Sequence, residues 1–440
     1  MSLEEIVLER IKPSEKEAAS IMDTADRLKG MITSYLRSHE YDIDVKLVGS
    51  VAKGTFLSGP DLDVFLMFPE SVPEGDMVRI GLAAGDDVLQ GERMYAEHPY
   101  TRGDFEGLSV DLVPCYAIKD TKKLMSAVDR TPFHTEYVIS NTDERLRDEI
   151  RLLKLFMRGT GTYGAEPNTR GFSGYLCELL VIFYGSFLNA VRAASEWKEG
   201  VSISPGSKGP AMLGPIIVYD PVDPKRNVAS AVHIDTFATF IAACKDYLEN
   251  PSERFFFPFE RVPLTEGELR KLSDDRGSRI VSVVFDRPDI NRDNLYSQIW
   301  KTRYALTRRL DSYDFTVLRS VHEMTKTKII IVFELERDAL SKTFKHIGPP
   351  VWVRAAASFL AKWNDNEFGG PFIDEGQWNV VAERRHRSVI DMLCDEVPVA
   401  GVGRDIDTDT LMIVGHNETL STVNKELLTE LLDPKHPWDV

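Results

Sequence analysis

Asp61 and Asp63, within GSVAKGTFLSGPDLDVFLMF (residues 49–68), are the side chains best placed to do chemistry. Side chains alternate along a strand, so Asp61-Leu62-Asp63-Val64 sets both carboxylates on one side and both aliphatics on the other. Phe65, Leu66 and Met67 are apolar on both faces, so the strand enters a core directly after its acids. Like charges held that close beside an apolar strand are costly unless a cation lies between them. An oxygen-preferring divalent ion, magnesium first, answers that requirement. A third acid, Asp111, sits alone in the alternating stretch LSVDLVP, which reads as another strand. If the two strands are neighbours, Asp61, Asp63 and Asp111 form the carboxylate set of a two-metal phosphoryl-transfer site. Gly49, Ser50 and the backbone of the following turn would then donate to phosphate oxygens. A bare Asp-x-Asp is common at solvated junctions. What favours a metal site is the ordered set: Gly-Ser, Asp-x-Asp, an apolar run and a later strand aspartate.

Several elements must position these acids. Residues 1–40 carry apolar residues at three- and four-residue spacing and read as helix, punctuated by Pro13. Residues 41–48 read as a strand leading into the motif, and 77–89 as a helix. ERMYAEHPYTRGDFEGLSVDLVP reads as strands around a turn at Arg102–Asp104, with Asp104 and Glu106 as turn and edge residues. Residues 141–158 form the clearest helix, capped by Asn141 or Thr142 and stopped by Gly159. Its cations Arg147, Arg151, Lys154 and Arg158 make a stripe about 100° round from the apolar face. That stripe is expected to face phosphate rather than solvent, with Lys154 a contact to an incoming triphosphate. Tyr163, in the loop GTGTYGAEPNTRGFSG, either stacks on a ligand or packs. An apolar helix is expected over 175–194, and Arg226 and Asn227 just before another helix, as a second edge of a nucleotide site.

Residues 251–263 read as an aromatic linker. Beyond it a strand (279–285), a helix (291–310) and a strand pair (315–324 and 328–335) give the order β-α-β-β of a ferredoxin-like layer. The run Arg384, Arg385, His386, Arg387 is the densest basic cluster and a candidate for backbone phosphates. A C-terminal amphipathic helix is expected over 419–432. The 440 residues exceed one core, and their formal charge of −16 argues against a non-specific nucleic-acid coat while leaving room for a basic cleft. The charged start MSLEEIVLERIKPSEKE does not read as a signal peptide, and no apolar run reaches membrane-spanning length. Cys115, Cys177, Cys244 and Cys394 have apolar neighbours and no metal-ligand spacing, so buried thiols and a cytoplasmic location are expected.

The 49–68 motif with SVDLVP resembles the head of polymerase-β-type nucleotidyltransferases, and RLLKLFMRGTGTYGAE with DPVDPKRNVASAV resembles the archaeal class I CCA-adding enzymes. The resemblance covers essentially the whole chain. It implies an α+β multidomain fold: a nucleotidyltransferase head (1–140), a mainly helical central domain (141–255), and a ferredoxin-like α/β body with an α/β tail (256–440). It implies Mg²⁺ as cofactor in a two-ion site, CTP and ATP as substrates, and the tRNA acceptor arm and 3′ end as partner, with no membrane and a homodimer left open. Carried over by motif, Asp61, Asp63 and Asp111 are catalytic metal ligands, and Gly49, Ser50 and Lys53 lie at the triphosphate. His134, Lys154 and Tyr163 contact triphosphate and sugar, and Arg226 the incoming base. TPFHTEYV could equally be a strand with a satisfied histidine. The rivals are a poly(A) polymerase, an oligoadenylate synthase-like enzyme, and a non-catalytic RNA-binding protein.

Overall fold

A computed structural model describes residues 1–95 and 99–439. The chain divides into two compact units, Met1–Glu260 with the residues from His436 on, and Arg261–Lys435. In the first unit, helix α1 (Leu3–Ile11) and helix α2 (Glu15–Ser38) are parted by Pro13, which holds Lys12 in extended backbone. Strand β1 (Asp44–Val48), helix α3 (Gly49–Lys53), β2 (Leu62–Phe68), α4 (Glu74–Leu89), β3 (Glu92–Tyr95), β4 (Pro99–Phe105) and β5 (Leu108–Tyr116) follow. The sheet order is β1-β2-β5-β4-β3; β2 and β5 run parallel and the other pairs antiparallel. Parallel neighbours need a long crossover, and α4 with the β3–β4 pair supplies it. Leu62, Val64, Leu66 and Phe68 pack with Leu28 and Ile32 of α2 and with Met77 of α4, while Phe65 joins a smaller core on the opposite face. The strand is buried on both sides, as its apolar run requires. Arg102–Asp104 is not the turn expected there: it lies inside β4, and the chain reverses at Glu106–Gly107, both at positive φ. Residues 96–98 of that segment lie outside the described residues.

Helices α5 (Thr131–Ser140), α6 (Glu144–Gly159), α7 (Gly174–Tyr184) and α8 (Phe187–Ser195), a parallel pair β6 (Val201–Ile203) and β7 (Ile216–Val218), and α9 (Ile234–Glu249) complete this unit. Asp143 caps α6; Asn141 and Thr142 instead turn their side chains back onto carbonyls of α5. The apolar stretch 175–194 is two helices, because Gly185 takes a left-handed turn and Ser186 caps a new start, bending the path by 94°. No single described helix is long and apolar enough to cross a membrane. Phe156 of α6 is ringed by Phe187, Phe240, Tyr247, Phe255 and Phe256. The aromatic part of the expected linker is therefore core, and the division between units falls after Glu260. The chain's end returns here too, with Trp438 donating to Asp246 at 3.0 Å and stacking on Phe255.

The second unit opens with α10 (Glu266–Arg276), then β8 (Arg279–Asp286), α11 (Arg292–Ser312), β9 (Val317–Met324) and β10 (Lys328–Leu335). A small sheet with an adjoining helix follows: β11 (Thr343–Pro350), α12 (Ala356–Trp363), β12 (Phe372–Asp374) and β13 (Gln377–Glu383). Helix α13 (Val389–Glu396) and β14 (Met412–Val414) return to the main sheet, ordered β14-β8-β10-β9 and antiparallel throughout. With α11 between its first two strands and α13 before its last, this is the ferredoxin-like order anticipated from β-α-β-β. The C-terminal helix is again two, α14 (His416–Thr422) and α15 (Lys425–Leu432), because Asn424 caps a fresh start. The basic run after β13 is largely engaged within this unit. Arg384 pairs with Asp314, and Arg385 reaches the buried Glu396 at 3.1 Å, a carboxylate also held by Tyr313 and Arg309. Among the cysteines, Cys394 is exposed, against the expectation of four buried thiols.

Close packing makes one glycine of α6 a sensitive position. A Cβ on Gly159 would stand 2.2 Å from the carbonyl oxygen of Phe255, and backbone cannot rotate away as a side chain can. Gly159→Ala is expected to lower unfolding free energy by about 1–3 kcal/mol, read from the urea midpoint.

Candidate active site

Strands β2 and β5 are in register such that Asp63 and Asp111 are direct partners. Asp61 stands two residues before Asp63, exposed at the strand's mouth. Gly49 admits the Asp63 side chain: a Cβ there would lie 1.8 Å from Oδ2, and its φ of 70° suits glycine. The following residues are a short helix, α3, ended by a left-handed Gly54, not the open turn expected. Asp63 is pushed up to about 6, first by burial and next by the charge of Asp111, with Asp61 adding and Lys53 and Arg102 opposing. Asp111 is gripped by Arg102, its partner across β4, through Nε–Oδ1 and Nη2–Oδ2 bonds of 2.7 Å each.

Among the described residues no three His, Cys, Asp or Glu side chains stand together as a group that could hold a metal ion, and Asp111 is turned to Arg102 instead. A carboxylate offers about four lone-pair directions, and Arg102 occupies two. Asp63 and Asp111, facing each other in register, are hard oxygen donors of the kind an oxygen-preferring divalent cation takes, with Asp61 two residues away at the strand's mouth.

Two cations of the α6 stripe, Arg151 and Lys154, are buried, Arg147 is half-buried and Arg158 is exposed. Arg151 donates to the carbonyls of Phe56 and Gly54 at 3.0 and 2.5 Å, which ties the motif to the helix. Lys154 is buried and reaches Thr55 Oγ1 at 3.0 Å and Glu178 Oε1 at 2.8 Å. Glu178 also binds Lys53 at 2.8 Å and Thr55 at 2.6 Å, so one buried carboxylate gathers two buried ammonium groups. Burial alone would raise Glu178, but Lys154 and Lys53 outweigh it and hold it near 2. Two cations on one anion leave a net positive charge beneath the acids.

Ser50, Asp61, Asp63, Lys154 and Tyr163 line one cavity of about 300 Å³, with Arg158 beside them. Burial pushes the Tyr163 phenol well above its ordinary value, and Arg158 lies 5.0 Å over its ring. His134 and Arg226 are not among the residues lining it. His134 is on a helix and buried, with Nε2 at 2.9 Å from Asp220 Oδ2; burial lowers its pKa, so it is neutral near pH 7. Arg226 donates to the same oxygen at 3.1 Å and sits in a turn well before α9, which starts at Ile234, so no helix end stands behind it. Asn227 is spent on bridging the strand β7 backbone. Tyr175 lies between the two groups. Its ring stacks on His134 at 4.0 Å and lies 5.4 Å from Lys53 Nζ, and its hydroxyl donates to Asp220.

Arg102, Glu178, Tyr175 and Asp220 escaped sequence reasoning. Glu178 had a signal: it is the one charge in the apolar helix GYLCELLVIFY, and a lone buried charge demands a partner. Replacing it tests the junction. Glu178→Gln strands two buried cations and is expected to cost about 3–5 kcal/mol at pH 7. Because the native carboxylate is held near 2 against an ordinary 4.5, its contribution is present above pH 4.5 and fades towards pH 2. Urea midpoints of the two proteins should therefore converge as pH falls through that window.

Comparison with known proteins places these parts. Residues 31–134 match the family described as nucleotidyltransferase domain, so the head is of the polymerase-β type. Residues 148–257 match the second domain of tRNA nucleotidyltransferase, and 276–411 the C-terminal domain of CCA-adding enzyme. The CCA-adding enzyme of Methanosarcina barkeri is 40% identical over 91% of this chain and 90% of its own. That of Picrophilus torridus is 35% identical over 95% of this chain and 96% of its own. Among solved structures, the Cid1 poly(U) polymerase overlaps 57% of this chain and 94% of its own, at 15% identity and a TM-score of 0.45. The 40% and 35% identities to those two relatives, sustained from head to C-terminal domain, mean that the chain belongs to the archaeal CCA-adding enzymes.

Proposed function

We propose that this protein completes and repairs the 3′ end of tRNA, adding C, C and A from CTP and ATP without a nucleic-acid template. The observation that carries the reading is the in-register meeting of Asp63 and Asp111 beside Gly49 and Ser50, in a chain of this family. The reaction is attack of the RNA 3′-hydroxyl on the α-phosphate: a new P–O bond forms, the hydroxyl's proton is released to solvent, the bond to the β-phosphate's bridging oxygen breaks, and pyrophosphate leaves. Asp61, Asp63 and Asp111 would hold magnesium, two ions in this reading, which when bound activates the hydroxyl and neutralises phosphate charge.

The chain's own groups prepare that chemistry. Arg102 fixes Asp111 in one orientation and leaves half its lone pairs open. The Ser50 hydroxyl and nearby backbone supply donors for phosphate oxygens at the cavity wall. Lys53 and Lys154 act from beneath; their shared Glu178 leaves an excess positive charge that favours a triphosphate above it. Tyr163 stays protonated and can donate its hydroxyl hydrogen. Arg226 and His134, braced by Asp220, stand beyond Tyr175 as the side on which a base would be met.

The deciding experiment offers tRNA lacking its CCA to the protein with CTP, ATP or both. Two additions with CTP alone, three with both and then a stop are expected; continued adenosine addition would identify a poly(A)-adding enzyme instead. Asp63→Asn and Asp111→Asn should each reduce incorporation by about 10²–10³-fold or more, the scale of losing one preorganised electrostatic stabiliser. Asp63→Asn also removes a buried, repelled charge. That variant should unfold at a higher urea concentration than the parent at pH 7.5 without added metal, by about 1–3 kcal/mol.

A further inference from the structure

A second cavity of the first unit, about 930 Å³, shares no lining residue with the one at Asp61 and Asp63, and of the groups given a role above only Arg226 reaches it. Its walls come from residues 121–130, 208–210 and 222–226, and short contacts hold them together. Thr121 donates to the Val222 carbonyl at 2.5 Å, and Tyr219 to that of Pro210 at 3.0 Å. A Cβ on Gly209 would stand 1.7 Å from the Pro224 carbonyl oxygen, so the two loops meet backbone to backbone. Five cations line the space: Lys122, Arg130, Lys208, Lys225 and Arg226, against one acid, Asp223. Arg130 is anchored to Asp223 at 3.0 Å and Arg226 to Asp220 at 3.1 Å. Lys122, Lys208 and Lys225 are exposed and have no ion pair among the described residues.

On a chain of net charge −16, such a gathering of one sign is a local exception. The lining holds no aromatic ring on which a base could stack. It offers ammonium groups on flexible stems around a floor of two fixed guanidinium groups. That chemistry reads phosphate and ignores sequence. The cavity is three times the size of the one at Asp61 and Asp63, more than a single triphosphate fills. Arg226 links the two, since Asp220 joins it to Tyr175 and His134.

We propose that this cavity is a seat for the phosphodiester backbone of the RNA being extended, with Lys122, Lys208 and Lys225 as its sequence-independent contacts. The inference rests on the tRNA-extending reading. It assigns the backbone of the RNA partner a place that the resemblance does not specify.

The test compares wild-type protein with the triple variant Lys122→Ala/Lys208→Ala/Lys225→Ala, binding labelled tRNA that lacks CCA at a series of salt concentrations. Each neutralised phosphate contact contributes roughly 0.7–0.9 to the slope of log K against log salt, so three should flatten it by about 2 and weaken low-salt binding tenfold or more. The Kd for CTP should not move, and the Lys→Arg triple variant should restore the slope. A control variant, Lys16→Ala/Lys29→Ala/Lys198→Ala, changes net charge equally and should leave the slope as it was. An unchanged slope in the first variant overturns the proposal, as does an equal loss in the control. Loss of CTP affinity overturns it in favour of a nucleotide pocket. Failure of the wild-type protein to extend the RNA would sink the functional reading as well, whereas normal extension with an unaltered slope sinks the cavity alone.

Discussion

Repulsion between carboxylates on adjoining parallel strands is the constraint around which the first unit is built. In a low-dielectric setting, Asp63 facing Asp111 is unfavourable for the fold by itself. Everything near it relieves or exploits that. Arg102 answers Asp111 from one side, Lys53 answers Asp63 from below, and Gly49 removes the side chain that would have displaced the acid. A site that holds unspent negative charge in a dry place is a poor structural choice and a good receptor for a hard cation.

The second constraint is the joint between the sheet and the helices behind it. Glu178 on α7, Lys154 on α6, and Lys53 and Thr55 beside α3 close one buried network drawn from three segments. Arg151 adds two bonds to the same stretch of motif. The cavity at Asp61 and Asp63 is thus walled by groups whose rotamers are set from behind, which is how a site stays in shape without ligand.

Much of this was legible from residue order, for reasons that can be named. The alternation in DLDVFLMF and SVDLVP gave both strands and the common face of their acids, because period-two patterning is local. Lys154, singled out by its helix's basic stripe, and Tyr163, singled out by its glycine-rich loop and then by resemblance, do line the cavity with Asp61 and Asp63. What stayed hidden depends on contacts distant in sequence. The role of Arg102 follows from a strand register, and that of Glu178 from three helices meeting. The single helices expected over 175–194 and 419–432 each broke at a capping residue, Ser186 and Asn424, whose influence periodicity overlooks. The stripe of α6 was recognised, but its members divide: Arg151 is spent on backbone of the motif, while Lys154 and Arg158 line the cavity.

Arg102 reaches Asp111 from a separate strand, and this has an evolutionary side. The hold depends on β4 meeting β5 with residue 102 opposite residue 111. Insertion or deletion of one residue ahead of β4 leaves that register alone, because the pairing of 102 with 111 is counted from the Glu106–Gly107 reversal. The same change between 102 and the Glu106–Gly107 reversal would turn the guanidinium to the other face of the sheet and set the acid loose. Lineages of this protein should therefore vary in length ahead of the strand and keep strict count after it.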